Sequence, residues 1–70
     1  MRIELSDPGH LDELYSALQE AECVPIRTGR DTLLVLHPLA VDEVEARTEL
    51  LFFVRAWRAR RPGVDVKLVG

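Results

Sequence analysis

The spacing of apolar residues changes several times along the chain, and each change marks a new structural element. Residues Arg2–Leu5 alternate polar and apolar side chains, which is typical of a half-buried strand. Three leucines then recur at helical spacing between positions 11 and 18. Asp7 and Pro8 precede them, and these residue types suit the cap and the first position of a helix. The pattern predicts a strand followed by an amphipathic helix.

From Val24 onward the apolar spacing changes to two, which predicts a β-hairpin. Its arms are Val24–Arg27 and Thr32–Leu36, and Gly29 in the turn can adopt positive φ. Pro25 has no N–H to donate, so the first arm is expected at the edge of the sheet. The second arm is almost continuously apolar and is expected inside the sheet.

The rest of the chain predicts a long helix from Val41 to Arg60, a stop at Pro62-Gly63, and a final strand, Val64–Val69. The order is therefore β-α-β-β-α-β within a single domain, residues 1–70. Right-handed crossovers place both helices on one face of the sheet. The predicted fold is an α+β, ferredoxin-like two-layer sandwich with a four-stranded antiparallel sheet.

Alternation along the strands assigns side chains to the two faces of this sheet. The residues expected to face the helices are Ile3, Leu5, Val24, Ile26, Val64, Val66 and Leu68. The open face is expected to carry mainly Arg2, Glu4, Arg27, Asp65 and Lys67, with some aliphatic residues of the third strand. The predicted strands contain no Phe, Tyr or Trp, which argues against RNA recognition by base stacking on the sheet.

The second helix has two apolar stripes, although a two-layer sandwich covers only one side of a helix. The expected core stripe comprises Val41, Val44, Thr48, Leu51, Phe52, Ala56 and Ala59. The opposite stripe, with basic residues at its rim, is expected to contact another chain through Leu50, Phe53, Val54, Trp57, Arg58 and Arg61. The alternative is that the stripes are reversed, with Trp57 and Phe53 inside and Val41 and Phe52 outside. We favour self-association, as a dimer, or a protein partner bound through this helix.

Composition and charge narrow the functional classes. Hydrophobic residues make up 47% of the chain and charged residues 30%, which is typical of a globular domain. The net charge of −3 argues against general nucleic-acid binding. No apolar run approaches the ~20 residues of a membrane span and no export pattern opens the chain, so we expect a cytoplasmic protein that does not insert into a membrane.

Candidate catalytic residues are few. His10, Cys23 and His37 are the imidazole and thiol groups of the chain, and their spacing matches no metal-binding or nucleophile motif. The four glycines are isolated and form no phosphate loop. The sequence therefore predicts no catalytic residue, metal or cofactor and favours a non-enzymatic protein. An enzyme with an active site between subunits, around these three residues, stays open as an alternative.

The turn "SDPGHL" offers a possible ligand site after the first strand. A glycine there allows close approach, and the helix N-terminus presents N–H donors that suit a carboxylate. Asp7 can instead occupy these donors itself as a structural cap.

This turn also carries a family resemblance. Residues Ile3–Ile26, with Asp7-Pro8-Gly9 followed by leucines at helical spacing, resemble the opening of ACT domains, small regulatory modules that often bind amino acids. The closing segment 61–70, "RPGVDVKLVG", is similar to the last helix-to-strand step of that family. The resemblance implies an effector site at Asp7, Gly9, His10 and Leu11, completed by a second subunit, and an amino-acid-like ligand.

The leading hypothesis is a non-enzymatic regulatory or ligand-sensing module that self-associates through its second helix. A protein–protein adaptor without a small ligand is the first alternative, and the inter-subunit enzyme is the second.

Overall fold

The computed structural model describes residues 1–69; Gly70, the final residue of the predicted domain, lies outside the described residues. The strands are β1 (Arg2–Leu5), β2 (Val24–Arg27), β3 (Thr32–Leu36) and β4 (Val66–Val69). The helices are α1 (Leu11–Glu20), which follows a 3₁₀ turn at Pro8–His10, and α2 (Glu43–Ala59). The predicted order of strands and helices is confirmed.

The four strands form one antiparallel sheet in the order β2-β3-β1-β4. The α+β two-layer sandwich predicted from the sequence is therefore confirmed. β2 lies at the edge of the sheet and contains Pro25, whereas β3 lies between β2 and β1. Both arms of the hairpin thus occupy their predicted positions, because proline is best tolerated where no ladder hydrogen bond is required.

One hydrophobic core joins the sheet to both helices. The sheet contributes Ile3, Leu5, Leu33 and Val35, and the helices contribute Leu11, Leu14, Leu18, Leu50, Val54 and Trp57. All of these side chains are buried, so both helices pack on the same face of the sheet. Burying one large aliphatic or aromatic side chain stabilises a fold by roughly 1.5–3 kcal/mol, and this core is the main source of stability in so small a domain.

Side-chain caps set where the helical segments begin. Asp7 Oδ1 accepts a hydrogen bond from Gly9 N at 2.9 Å, and Asp42 Oδ1 accepts one from Glu45 N at 2.8 Å. The second cap places the start of α2 after Asp42, so Val41 lies before the helix and not within its first turn. Within residues 1–69, none of the helices combines the length and apolar character needed to cross a bilayer.

The predicted core stripe of α2 is wrong, and the reversed alternative is correct. Leu50, Val54 and Trp57 face the core, while Val44 is 75% and Phe52 64% exposed. The physical reason is that Arg55 lies in the same helical arc as Val44 and Phe52. Packing that arc inward would bury an unpaired charge, whereas over residues 50–57 the arc that faces the core carries no charge.

The predicted faces of β2 are also reversed. Val24 and Ile26 lie on the open face of the sheet, opposite the helices, because they pair with Leu36 and Leu34 of β3. Arg27, expected on the open face, lies on the helical side, where its guanidinium pairs with the Asp12 carboxylate.

Candidate functional site

A pocket of about 530 Å³ lies between the end of β3 and the start of α2. Residues 37–42 connect these two elements, and the pocket forms where that connection folds back over the sheet. Its apolar wall consists of Met1, Val35, Leu36, Ala40, Val44, Ala46 and Leu50. Its polar wall consists of His37, Asp42, Glu43 and Arg47. Pockets of roughly 300–1,000 Å³ with this mixture of apolar and polar walls are typical small-molecule sites.

His37 is the buried polar group of this pocket. Its side chain is 9% exposed, and its Nε2 atom contacts the Glu49 carboxylate of α2. The Nδ1 atom is buried and has no hydrogen-bond partner among residues 1–69. The Glu49 carboxylate beside Nε2 orients the imidazole ring. The pairing of His37 with Glu49, 12 positions further along the chain, was not predicted from the sequence.

The charged groups of the pocket lie at the N-terminal end of α2. Asp42 caps the helix, and its backbone carbonyl accepts a hydrogen bond from Ala46 N at 3.0 Å. Glu43 and Arg47 follow on the first turns, so carboxylates and a guanidinium flank one apolar wall. This arrangement can bind a small molecule that carries both a carboxylate and a cationic group.

The ligand site predicted at the first turn contains three neighbouring surface residues and one core residue. Asp7 uses its own carboxylate to cap Gly9, so this N–H donor is already occupied. His10 Nδ1 lies 3.0 Å from Glu13 Oε2, and its Nε2 lies 3.6 Å from Asp7 Oδ2. Leu11 is buried in the core. The structural cap, left open as an alternative in the sequence, is therefore present.

A second polar cluster joins the start of α1 to the end of α2. Arg61 Nε donates to Glu13 Oε2 at 2.9 Å, and its guanidinium lies 4.2 Å from the centre of the Trp57 ring. The hydrogen bond from Arg61, followed by that from His10, lowers the pKa of Glu13 to about 2. This cluster links residues far apart in sequence and was not predicted.

The interface predicted on α2 is not an exposed surface. Leu50, Val54 and Trp57 belong to the core of this chain, and Phe53 packs partly against it. The two arginines of the predicted rim have partners within the chain: Arg61 binds Glu13, and Arg58 Nη2 donates to Asp65 Oδ1 at 2.8 Å. The exposed large apolar residues are instead Val24, Ile26, Leu34, Leu36, Leu39, Val41, Val44, Leu51 and Phe52.

Of the three residues considered for catalysis, Cys23 and His37 flank the same end of the β2–β3 pair and both lie near Glu49, whereas His10 lies apart from them. His10 packs edge-on against Trp57, whereas His37 binds Glu49. Glu49 and Trp57 are eight positions apart on α2, which corresponds to roughly 12 Å along the helix axis. Burial, and then the charge of Glu49, raises the pKa of the buried Cys23 thiol, which is the opposite of what an activated nucleophile requires. No three His, Cys, Asp or Glu side chains within residues 1–69 are placed to hold a metal ion.

No protein-family model matches the chain, and no curated protein or solved structure matches it either. The resemblance to ACT domains therefore stays a prediction.

Proposed function

We propose that this chain is a non-enzymatic regulatory module that binds a small amino-acid-like ligand in the pocket at the start of α2. The observation that carries the proposal is the composition of that pocket of about 530 Å³. Its apolar wall adjoins one guanidinium, Arg47, and two carboxylates, Asp42 and Glu43. A zwitterion with an apolar substituent complements all three features.

Each part of such a ligand has a partner in the pocket. The ligand carboxylate pairs with the Arg47 guanidinium. The ammonium group pairs with the Asp42 and Glu43 carboxylates, and the apolar side chain packs against Val44 and Leu50. This position differs from the one that the ACT resemblance implies, because the donor at Gly9 is occupied by Asp7.

The position of the pocket also supports a sensing role. The pocket walls come from the end of β3 and from the first turns of α2, which are held together by the His37–Glu49 pair. A ligand that contacts both elements stabilises the docking of α2 on the sheet and therefore raises the stability of the whole domain. The domain can thus report ligand binding as a change in rigidity at this end of α2.

The test is a thermal-unfolding screen of the native chain with each amino acid in turn. A ligand present at 100 times its Kd stabilises the folded state by about 2.7 kcal/mol, which raises the Tm of a domain of this size by roughly 10 °C or more. Arg47→Ala is expected to abolish the response. The matched control, Arg55→Ala, removes an arginine of the same helix outside the pocket and is expected to retain it.

A third variant, Asp7→Ala, separates the two possible ligand positions. If the ligand binds at the start of α2, Asp7→Ala lowers the Tm through loss of the cap but retains the ligand-induced increase. Loss of the ligand response in Asp7→Ala alone would instead place the ligand at the first turn. No stabilisation by any amino acid, or an unchanged response in Arg47→Ala, would overturn the proposal.

A further inference from the structure

The open face of the sheet carries a compact aliphatic patch, which we define as Val24, Ile26, Leu34 and Leu36. These residues form two cross-strand pairs, Val24 with Leu36 and Ile26 with Leu34. Their exposed fractions lie between 37% and 49%. They lie on neighbouring strands, and within residues 1–69 both helices pack on the opposite face of the sheet. Contiguous exposed aliphatic residues of this kind mark a contact surface.

The other half of the same face carries charges of both signs, with Val69 beside Arg2. Arg2 and Glu4 of β1 face outward, with 3.6 Å between Arg2 Nε and Glu4 Oε2, and Lys67 of β4 pairs with Glu4 in the sheet register. Charges of both signs therefore adjoin the aliphatic patch on one side only. A partner that covers the whole face would have to desolvate these charges, whereas a partner that covers the patch alone leaves them in water.

We propose that the aliphatic patch is the self-association surface of this protein and that it binds the same patch of a second copy. The patch is self-complementary: a two-fold axis parallel to the strands, midway between β2 and β3, places Val24 of one copy on Leu36 of the other. The same axis places Ile26 of one copy on Leu34 of the other. Four aliphatic side chains of each copy then meet four of the other, with no charge in the contact.

The charged half of the face favours this position of the two-fold axis over a position nearer the centre of the sheet. Moving the axis to the centre of the sheet, between β3 and β1, would place Leu34 on Arg2 of the other copy. That arrangement would take the Arg2 guanidinium and its Glu4 partner out of water against the other sheet, which carries a desolvation cost. With the axis between β2 and β3, Arg2, Glu4 and Lys67 extend beyond the edge of the partner sheet and stay hydrated.

Pro25 disfavours the competing mode, in which two sheets join through their β2 edges. An edge strand extends a neighbouring sheet through its free N–H and C=O groups, and Pro25 at the middle of β2 has no N–H. Face-to-face packing at the usual ~10 Å spacing of stacked sheets needs no backbone donor. β2 therefore contributes to self-association through its side chains.

The size of the face predicts a weak, reversible dimer. Four strands ~4.8 Å apart, each of about four residues rising ~3.3 Å, give a face of roughly 250 Å² in projection. Stable complexes bury ~800 Å² of accessible surface on each partner, which is more than this patch offers. The dimer is therefore expected to dissociate on dilution within the micromolar range, so its detection requires measurements over a wide range of concentrations.

Sedimentation equilibrium of the full chain, from micromolar to millimolar concentration, tests the proposal. The mass of the native chain is expected to rise with concentration from 7.9 kDa towards twice that value. The double variant Ile26→Thr/Leu34→Thr places a β-branched residue at both strand positions and is expected to weaken the dimer at least roughly tenfold. The matched control, Leu51→Gln/Phe52→Gln, removes two exposed apolar residues of α2 and is expected to dimerise as the native chain does. Neither variant replaces a residue that lines the ligand pocket.

The contradicting outcomes are distinct. A native chain that stays at 7.9 kDa throughout overturns the proposal, and so does a control that loses the dimer while the sheet variant keeps it. Should the sheet variant fail to fold, as judged by circular dichroism, the native chain provides a second measurement. Isotope-filtered NOE spectra of mixed labelled and unlabelled chains should show contacts from Val24 to Leu36 and from Ile26 to Leu34 between copies. Their absence at a concentration where the dimer is populated overturns the arrangement.

Discussion

Two adjacent leucines of α2 provide a matched test of which helical face packs against the sheet. Leu50 is 2% exposed and Leu51 is 37% exposed, although the two residues are identical in type and share one helix. Replacing either with alanine leaves helix propensity nearly unchanged. Any difference between Leu50→Ala and Leu51→Ala therefore reports burial and packing.

The expected difference is large relative to the stability of the domain. Leu→Ala at a fully buried position costs about 2–5 kcal/mol, because the lost transfer free energy adds to that of the cavity left behind. A chain of this length has a total stability of roughly 4–10 kcal/mol. Leu50→Ala is therefore expected to lose a large part of it, equivalent to a decrease in Tm of about 10 °C or more. Leu51→Ala is expected to cost about 1 kcal/mol or less.

Urea unfolding followed by circular dichroism measures both variants against the native chain, with free energies of unfolding obtained by linear extrapolation. Phe53→Ala and Phe52→Ala form a second matched pair, since Phe53 packs on the core and Phe52 is largely exposed. The assignment of the core face would be refuted if Leu51→Ala and Phe52→Ala were the more destabilising member of each pair. That outcome would restore the face first expected from the sequence.

Two further predictions concern the charged groups that fix the ends of the helices. The pKa of Glu13 is held at about 2 by Arg61 and His10, so Glu13 contributes stability that is present above its unfolded pKa near 4.5 and is lost as the pH falls towards 2. Glu13→Gln should therefore lower the Tm at pH 7, and the difference in Tm from the native chain should shrink between about pH 5 and pH 2. Glu20→Gln, on the same helix, serves as the control. A difference in Tm that does not depend on pH would contradict the ion-pair interpretation. Asp42→Ala removes the acceptor for Glu45 N at the start of α2 and should cost about 0.5–2 kcal/mol in urea unfolding, whereas Asp42→Asn should retain most of that stability. Equal losses in both Asp42 variants would contradict the capping role.

The elements of the fold could be predicted from sequence because their signals are local. Alternation in Arg2–Leu5, helical spacing between positions 11 and 18, and the stops at Pro62 and Gly63 each act over a few residues. The position of β2 at the edge of the sheet follows from the missing N–H of Pro25, which is a property of one residue. These features, together with the handedness of crossovers, are sufficient for the α+β sandwich.

The buried faces of the strands and helices were predicted less well. Periodicity shows which residues share a face, but it does not show which face packs against the rest of the protein. In α2 two apolar stripes were compatible with the sequence, and Arg55 in the arc of Val44 and Phe52 was the signal that could have decided between them. In β2, Val24 and Ile26 are as apolar as core residues. Only the pairing with Leu36 and Leu34 places them on the open face.

The sites depend on contacts between residues far apart in the chain, which no local pattern contains. His37 meets Glu49 across 12 positions, and Glu13 meets Arg61 across 48. The pocket at the start of α2 exists only because the end of β3 and the connection 37–42 fold against that helix. The sequence by itself therefore determined the type, order and approximate length of the elements through short-range backbone preferences. The tertiary structure decided which apolar faces are covered, because strand pairing and the packing of the layers join residues far apart in the chain.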